Sequence, residues 1–177
     1  PAERSVIPTA LHDFRVDTVV DGLVRPFSMA FTPEGDLLVT DRPRRLRIVR
    51  DGELLPDAVQ GLPDVVFLGG GARSMNGLEQ AGMRDVVLHP EFASNRLVYL
   101  SYTKPGADSL GTLAVARARF ENDQLLDVEE VFDANAHGNG TDRSSMWGGR
   151  LAFDGNGYLF ITLGDRQWPS AGNLRAH

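Results

Sequence analysis

Hydrophobic and polar positions alternate in short runs along most of this chain, and the runs recur. Residues 146–166 read MWGGRLAFDGNGYLFITLGDR. Leu151, Ala152 and Phe153 form an apolar run, Asp154-Gly155-Asn156-Gly157 tolerates positive φ, and residues 158–163 are β-branched and aromatic. That pattern predicts a β-hairpin, hydrophobic enough to be buried on both faces. Polar residues close it at one rim: Met146-Trp147-Gly148-Gly149 before the first strand and Gly164-Asp165-Arg166 after the second.

The same unit occurs twice earlier, beginning at Ala30 and Val87, so the three copies start roughly sixty residues apart. Two short inner strands, a Pro/Gly/Asn turn and two further strands make a propeller blade, whose usual period is roughly 40 to 50 residues. The excess is assigned to loops. The fold class expected is therefore all-β: a β-propeller of four-stranded antiparallel blades, with about three blades present. Residues 1–13 are expected to be an N-terminal arm, and 14–177 a partial propeller. Blade one covers about 24–60, blade two about 83–133, and the inner strands of blade three about 146–166. Phe14, Val16, Thr18, Val19 and Val20 read as a strand that completes the last blade by pairing across the ring. Residues 61–82, with Gly69-Gly70-Gly71, form a long connector of the kind more often functional than idle. Three blades cannot close a ring, so either C-terminal blades are missing or copies of the chain complete one another.

Composition narrows the function classes. A net charge of −6, from 18 basic and 24 acidic residues, argues against a nucleic-acid surface. With no cysteine there is no disulfide framework and no thiolate metal site. No run approaches the length of a membrane span. A start at Pro1 suggests that a leader or other upstream segment was removed.

Several pieces, in order, resemble the soluble pyrroloquinoline quinone (PQQ)-dependent aldose sugar dehydrogenases, the glucose/sorbosone dehydrogenase family. They are Arg25-Pro26-Phe27-Ser28-Met29-Ala30-Phe31 with Thr40-Asp41-Arg42-Pro43; the run from Glu79-Gln80-Ala81-Gly82-Met83-Arg84-Asp85 to Glu91-Phe92; Val98-Tyr99-Leu100-Ser101-Tyr102; and Gly148-Gly149-Arg150-Leu151-Ala152-Phe153 with Gly164-Asp165-Arg166. The resemblance implies a six-bladed propeller of which this is the N-terminal half. It also implies PQQ and calcium on the top face, a sugar oxidised at its anomeric carbon, an external electron acceptor, and a periplasmic or secreted location.

The resemblance also carries site residues. Gln80 corresponds to the glutamine that reaches cofactor and substrate, and Asp165 to the carboxylate that orients the base histidine. The base itself lies four residues before the Gly-Arg-Leu arginine, and that position is Met146. A thioether accepts no proton, so the catalytic set here is Asp165 with Met146 as a substituted base position, and turnover is expected to suffer. Asp165 then has nothing to orient, and an ion pair with Arg150 or Arg166 is an equal alternative. His137, in a Gly/Asn loop, is either a displaced base or a solvated side chain. His89, before a proline, reads as structural. Trp147 either stacks on a cofactor or sugar face or belongs to the core. Asp41 and Arg42 hold the equivalent rim place in blade one. Ligands for calcium are not found in this chain; Asp123, Asp127, Glu129 and Glu130 lack the spacing of a calcium loop. Two alternatives belong to other classes: a non-catalytic propeller that binds a sugar or protein at its top face, and a calcium-dependent lactonase-like hydrolase.

Overall fold

The computed structural model describes residues 6–66, 81–106, 111–135 and 147–164. The first complete sheet is a meander of β3 (Pro26–Phe31), β4 (Leu37–Asp41), β5 (Arg45–Arg50) and β6 (Glu53–Leu54), hydrogen-bonded in chain order. The second repeats it with β7 (Met83–Leu88), β8 (Leu97–Lys104), β9 (Thr112–Glu121) and β10 (Gln124–Asp133). A third begins with β11 (Gly148–Phe153) and β12 (Leu159–Leu163). All pairings between these strands are antiparallel, and this is the four-stranded blade that the repeats predict.

The turns follow from local chemistry. Arg50 pairs with Glu53 across Asp51 and Gly52, at φ 53° and 81°, the two left-handed residues that match the twist of a hairpin. Glu121 pairs with Gln124 across Asn122 and Asp123, at φ 49° and 60°, so Asn and Asp supply the same turn without glycine. The Asp154 carboxylate accepts the N–H groups of Asn156 and Tyr158 at 2.9 and 2.8 Å, which holds the turn of the third hairpin. Between β7 and β8, where the sequence reads only as a proline turn, a single helical turn, α1 (Phe92–Asn95), ends on Arg96 at φ 58° and buries Phe92.

The core lies between the first two sheets. Leu38, Leu46 and Ile48 of the first meet Val86, Val98, Leu100, Ala114, Ala116, Ala118 and Phe120 of the second. Alanine at alternate positions of β9 keeps its inward face thin, so larger side chains from the neighbouring sheet fill the space. The opposite side of β9 turns Leu113 toward the third sheet, where its Cδ1 would lie 3.1 Å from a β-carbon on Gly149. At the outer edge β10 is mostly exposed. Its acidic residues pair with β9 and β8: Glu129 with Arg117, Asp127 with Arg119 at 2.8 Å, and Glu130 and Asp133 with Lys104 at 2.8 and 3.0 Å. Each exposed pair contributes little to stability, but the charges suit an edge that must not pair with another chain.

Two expectations are corrected. The third hairpin is not buried on both faces: β11 packs on β7 and β8, while Tyr158 and Phe160 are 70% and 60% exposed, because no sheet among the described residues covers their side. Nor is there a strand over residues 14–20. β2 (Phe14–Arg15) is two residues long and pairs with β1 (Val6–Ile7) rather than across a ring, and Val16 and Val19 lie open to solvent without a partner strand among the described residues.

Candidate functional site

The first strands of the three sheets meet side by side, with β7 between β3 and β11. β7 reads MRDVVL, four apolar residues around two adjacent charges, and both charges are buried. A buried carboxylate must find donors to offset its lost hydration, and Asp85 finds them in all three sheets. Its Oδ1 accepts the hydroxyl of Ser28 from β3, the N–H of Val86 at 3.0 Å and a terminal nitrogen of Arg150 at 3.3 Å. Its Oδ2 accepts the N–H of Leu151 in β11 at 2.8 Å. The Ser101 hydroxyl accepts from the Asp85 N–H at 2.9 Å and donates to the Gly149 carbonyl. Asp85 is thus the pin of the three-sheet junction. Its signal in the sequence is a pair of adjacent charges inside an otherwise apolar strand.

Arg84 points to the other side of β7. Its Nε and a terminal nitrogen donate to the Gly148 carbonyl at 3.0 and 2.6 Å, and its own carbonyl accepts the Thr40 hydroxyl at 2.6 Å. The guanidiniums of Arg84, Arg42 and Arg150 lie 4.3, 4.9 and 5.0 Å from the centre of the Phe27 ring. Burial, with repulsion from Arg42 and Arg150, pushes the Arg84 guanidinium down to about 10. Burial and repulsion from Arg25 lower Arg42 as well. Asp41, by contrast, is spent on structure: it is fully buried and accepts the N–H groups of Arg25 and Val24 at 2.7 and 3.3 Å together with the Arg45 guanidinium.

At one end of this junction the backbones close up. A β-carbon on Gly82, which has φ +119°, would sit 2.2 Å from the Arg42 carbonyl oxygen, so only glycine lets β7 start so close to the end of β4. Gly148, at φ +69°, is as tightly placed, with Gly164 N 2.6 Å from its would-be β-carbon. The Gly164 N–H donates to the Trp147 carbonyl at 3.2 Å, and Trp147 packs with Val66 and Ala81. Ala81, Trp147 and Gly164, the described neighbours of Gln80, Met146 and Asp165, therefore share one place at one end of the sheets. Gln80, Met146 and Asp165 themselves lie outside the described residues, as does His137. The Trp147 indole is 1% exposed. His89 is set in the opposite turn: its Nδ1 accepts the Glu91 N–H at 3.0 Å and its ring lies against Tyr99 and Phe153. Among the described residues no three His, Asp or Glu are grouped to hold a metal ion, and no helix is long and apolar enough to cross a membrane.

The sequence pattern of the Glucose / Sorbosone dehydrogenase family matches residues 23–176. The aldose sugar dehydrogenase YliI of Escherichia coli is 36% identical over 163 residues, which are 90% of this chain and 40% of that protein. The crystal structure of the soluble aldose sugar dehydrogenase from Escherichia coli in its apo form superposes with a TM-score of 0.73 at 36% identity, over 89% of this chain and 43% of that one. The PQQ-bound aldose sugar dehydrogenase from Streptomyces coelicolor shares the fold, with a TM-score of 0.65 at 24% identity, over 94% of this chain and 44% of that one. The chain thus spans about two fifths of the length of these relatives. Repeated four-stranded blades and a match over residues 23–176 make this chain a member of the glucose/sorbosone dehydrogenase family.

Proposed function

We propose that this chain forms part of a PQQ-dependent dehydrogenase that oxidises aldose sugars at the anomeric carbon. In this reading Gln80, Met146 and Asp165 stand around the reacting sugar. The observation that carries it is the meeting of Ala81, Trp147 and Gly164 at one end of the sheets, since each is the covalent neighbour of one of these residues. The Phe27 ring of β3 is flanked by the guanidiniums of Arg84 in β7, Arg150 in β11 and Arg42 just after β4, a positive and partly aromatic surface that suits a flat quinone bearing carboxylates. When bound, PQQ would supply the two-electron acceptor for the sugar's hydride.

The chain's own residues divide the remaining work. The Gln80 amide both donates and accepts, and so orients a sugar hydroxyl or a quinone oxygen. Trp147, wedged between Val66 and Ala81, fixes the floor of the rim. Met146 holds the place of the proton acceptor but cannot take the hydroxyl proton, so deprotonation is left to water and turnover is slow. Asp165, made to orient an imidazole, has no catalytic partner at 146. By the same family likeness the protein acts in the periplasm or as a secreted enzyme, passes electrons to an external acceptor, and takes up calcium with the cofactor.

Titration of the purified protein with PQQ and calcium, followed by quinone absorbance and by dye reduction with glucose, tests this. Saturable binding with slow reduction supports it. Retention of a sugar or protein ligand with no PQQ uptake would replace it with the non-catalytic binding propeller.

A further inference from the structure

The turn of the third hairpin carries chemistry that the dehydrogenase reading does not use. Asn156 is followed by Gly157, and both are exposed. An amide side chain is open to attack by the backbone nitrogen of the next residue when that residue has no β-carbon to crowd the approach. Here the nitrogen is loosely held. The Gly157 N–H reaches the Asp154 carbonyl only at 3.4 Å, beyond the ordinary N–H···O range, whereas the N–H groups of Asn156 and Tyr158 lie 2.9 and 2.8 Å from the Asp154 carboxylate. Nothing lies within 4 Å of a β-carbon placed on Gly157, so the space around it is open. The Asn156 Nδ2 also donates to the Asp154 carboxylate at 3.3 Å, which ties the amide back into the turn.

We propose that Asn156 is a site of spontaneous deamidation in the folded protein. The Gly157 nitrogen bonds to the Asn156 Cγ and gives its proton to solvent; the Cγ–Nδ2 bond breaks, and the amide nitrogen takes up a proton and leaves as ammonia. Water then opens the cyclic imide. Cleavage at one carbonyl gives aspartate, and at the other isoaspartate, in which the backbone runs through the former side chain. The N–H of Tyr158, with the other donors of the turn, holds the Asp154 carboxyl below the usual carboxylate range, so it is charged at neutral pH and either product sets another negative charge beside it. Isoaspartate also lengthens the turn, drawing the N–H groups of residues 156 and 158 off the Asp154 carboxylate. The hairpin loosened in this way leads to Gly164, whose N–H donates to the Trp147 carbonyl, so the change reaches the rim end of the sheets. The site goes beyond the dehydrogenase reading, since it depends on neither PQQ nor a sugar.

Prolonged incubation of the full chain at neutral pH, followed by tryptic digestion and mass spectrometry, tests the site. Cleavage after Arg150 and Arg166 releases residues 151–166, in which Asn156 is the only amide side chain, so a mass gain in that fragment belongs to this residue. The fragment is expected to gain the mass that separates an acid from an amide and to split into aspartate and isoaspartate forms of different chromatographic retention. Backbone amide exchange in β12 should rise in the aged wild-type protein, and stay at its starting rate in Asn156→Ser aged alongside. A fragment that converts in urea but not in the folded chain, or in neither, would overturn the proposal. Unchanged exchange in β12 after conversion to isoaspartate would overturn the loosening of the hairpin.

Discussion

The carboxylate of Asp85 in β7 accepts the backbone N–H of Leu151 in β11 at 2.8 Å. A side chain of the second sheet thereby completes the hydrogen bonding of the third, and the same carboxylate holds Ser28 of the first. Sheets that share only apolar contact slide against one another at small cost. A buried acceptor with donors from three strands fixes one register, because any shift leaves a charge without partners.

Replacing Asp85 with alanine should therefore cost on the order of 3 kcal/mol, since buried donors on Ser28 and Leu151 lose their acceptor. Asparagine, which keeps one acceptor oxygen, should lose less. Urea unfolding followed by Trp fluorescence measures both. A loss below about 0.5 kcal/mol for the alanine variant, the range of an ordinary surface change, would mean that the junction does not depend on this carboxylate.

Gly82→Ala should destabilise the protein by roughly 2 kcal/mol or more, because a β-carbon would meet the Arg42 carbonyl oxygen at 2.2 Å with φ held at +119°. Gly35→Ala serves as the control. It also has positive φ, but nothing lies within 4 Å of its would-be β-carbon, so it should lose only the cost of the backbone conformation, about 1 kcal/mol. Equal melting temperatures for the two variants would contradict the close approach of β4 and β7.

Tyr102 predicts an alkaline limit. Burial, reinforced by the negative charge of Glu130, raises its phenol well above the ordinary tyrosine range. A group raised in the folded state contributes stability that is complete below the unfolded pKa, near 10, and is lost as pH rises through the folded value. Stability should fall above about pH 10, and one of the three tyrosines should ionise only as the protein unfolds. Tyr102→Phe should flatten that fall. Tyrosinate absorbance recorded alongside far-UV dichroism distinguishes this from three tyrosines that titrate independently.

Much of the fold was legible because a blade writes itself locally. The apolar run of β4, the alternation of β5, the Asp51-Gly52 turn and the Asn122-Asp123 turn each involve residues within a few positions, so sequence alone locates them. The junction was not legible in the same way. The partners of Asp85 lie 57 and 66 positions away in Ser28 and Leu151, and a charge in an apolar strand does not say which distant donors will meet it. The exposed side of the third hairpin is a further case: composition made Tyr158 and Phe160 look buried, but burial depends on a neighbouring sheet that no local pattern encodes. Asp41, a candidate from its place at the rim, proved to be committed to the N–H groups of Val24 and Arg25. For the rim itself, the family resemblance named Gln80, Met146 and Asp165, and only their neighbours Ala81, Trp147 and Gly164 lie among the described residues.

On the proposed reading, residue 146 stands where a proton acceptor belongs, beside a quinone and a sugar. Steady-state dye reduction with glucose, in the full chain loaded with PQQ and calcium, should compare the wild-type protein with Met146→His. A positioned general base contributes roughly 10²- to 10⁴-fold, so Met146→His should raise kcat at least about tenfold and introduce an acid limb with a midpoint near 6.5, the ordinary histidine value. Unchanged turnover with a flat pH profile, while PQQ remains bound, would contradict the assignment of Met146 to the site.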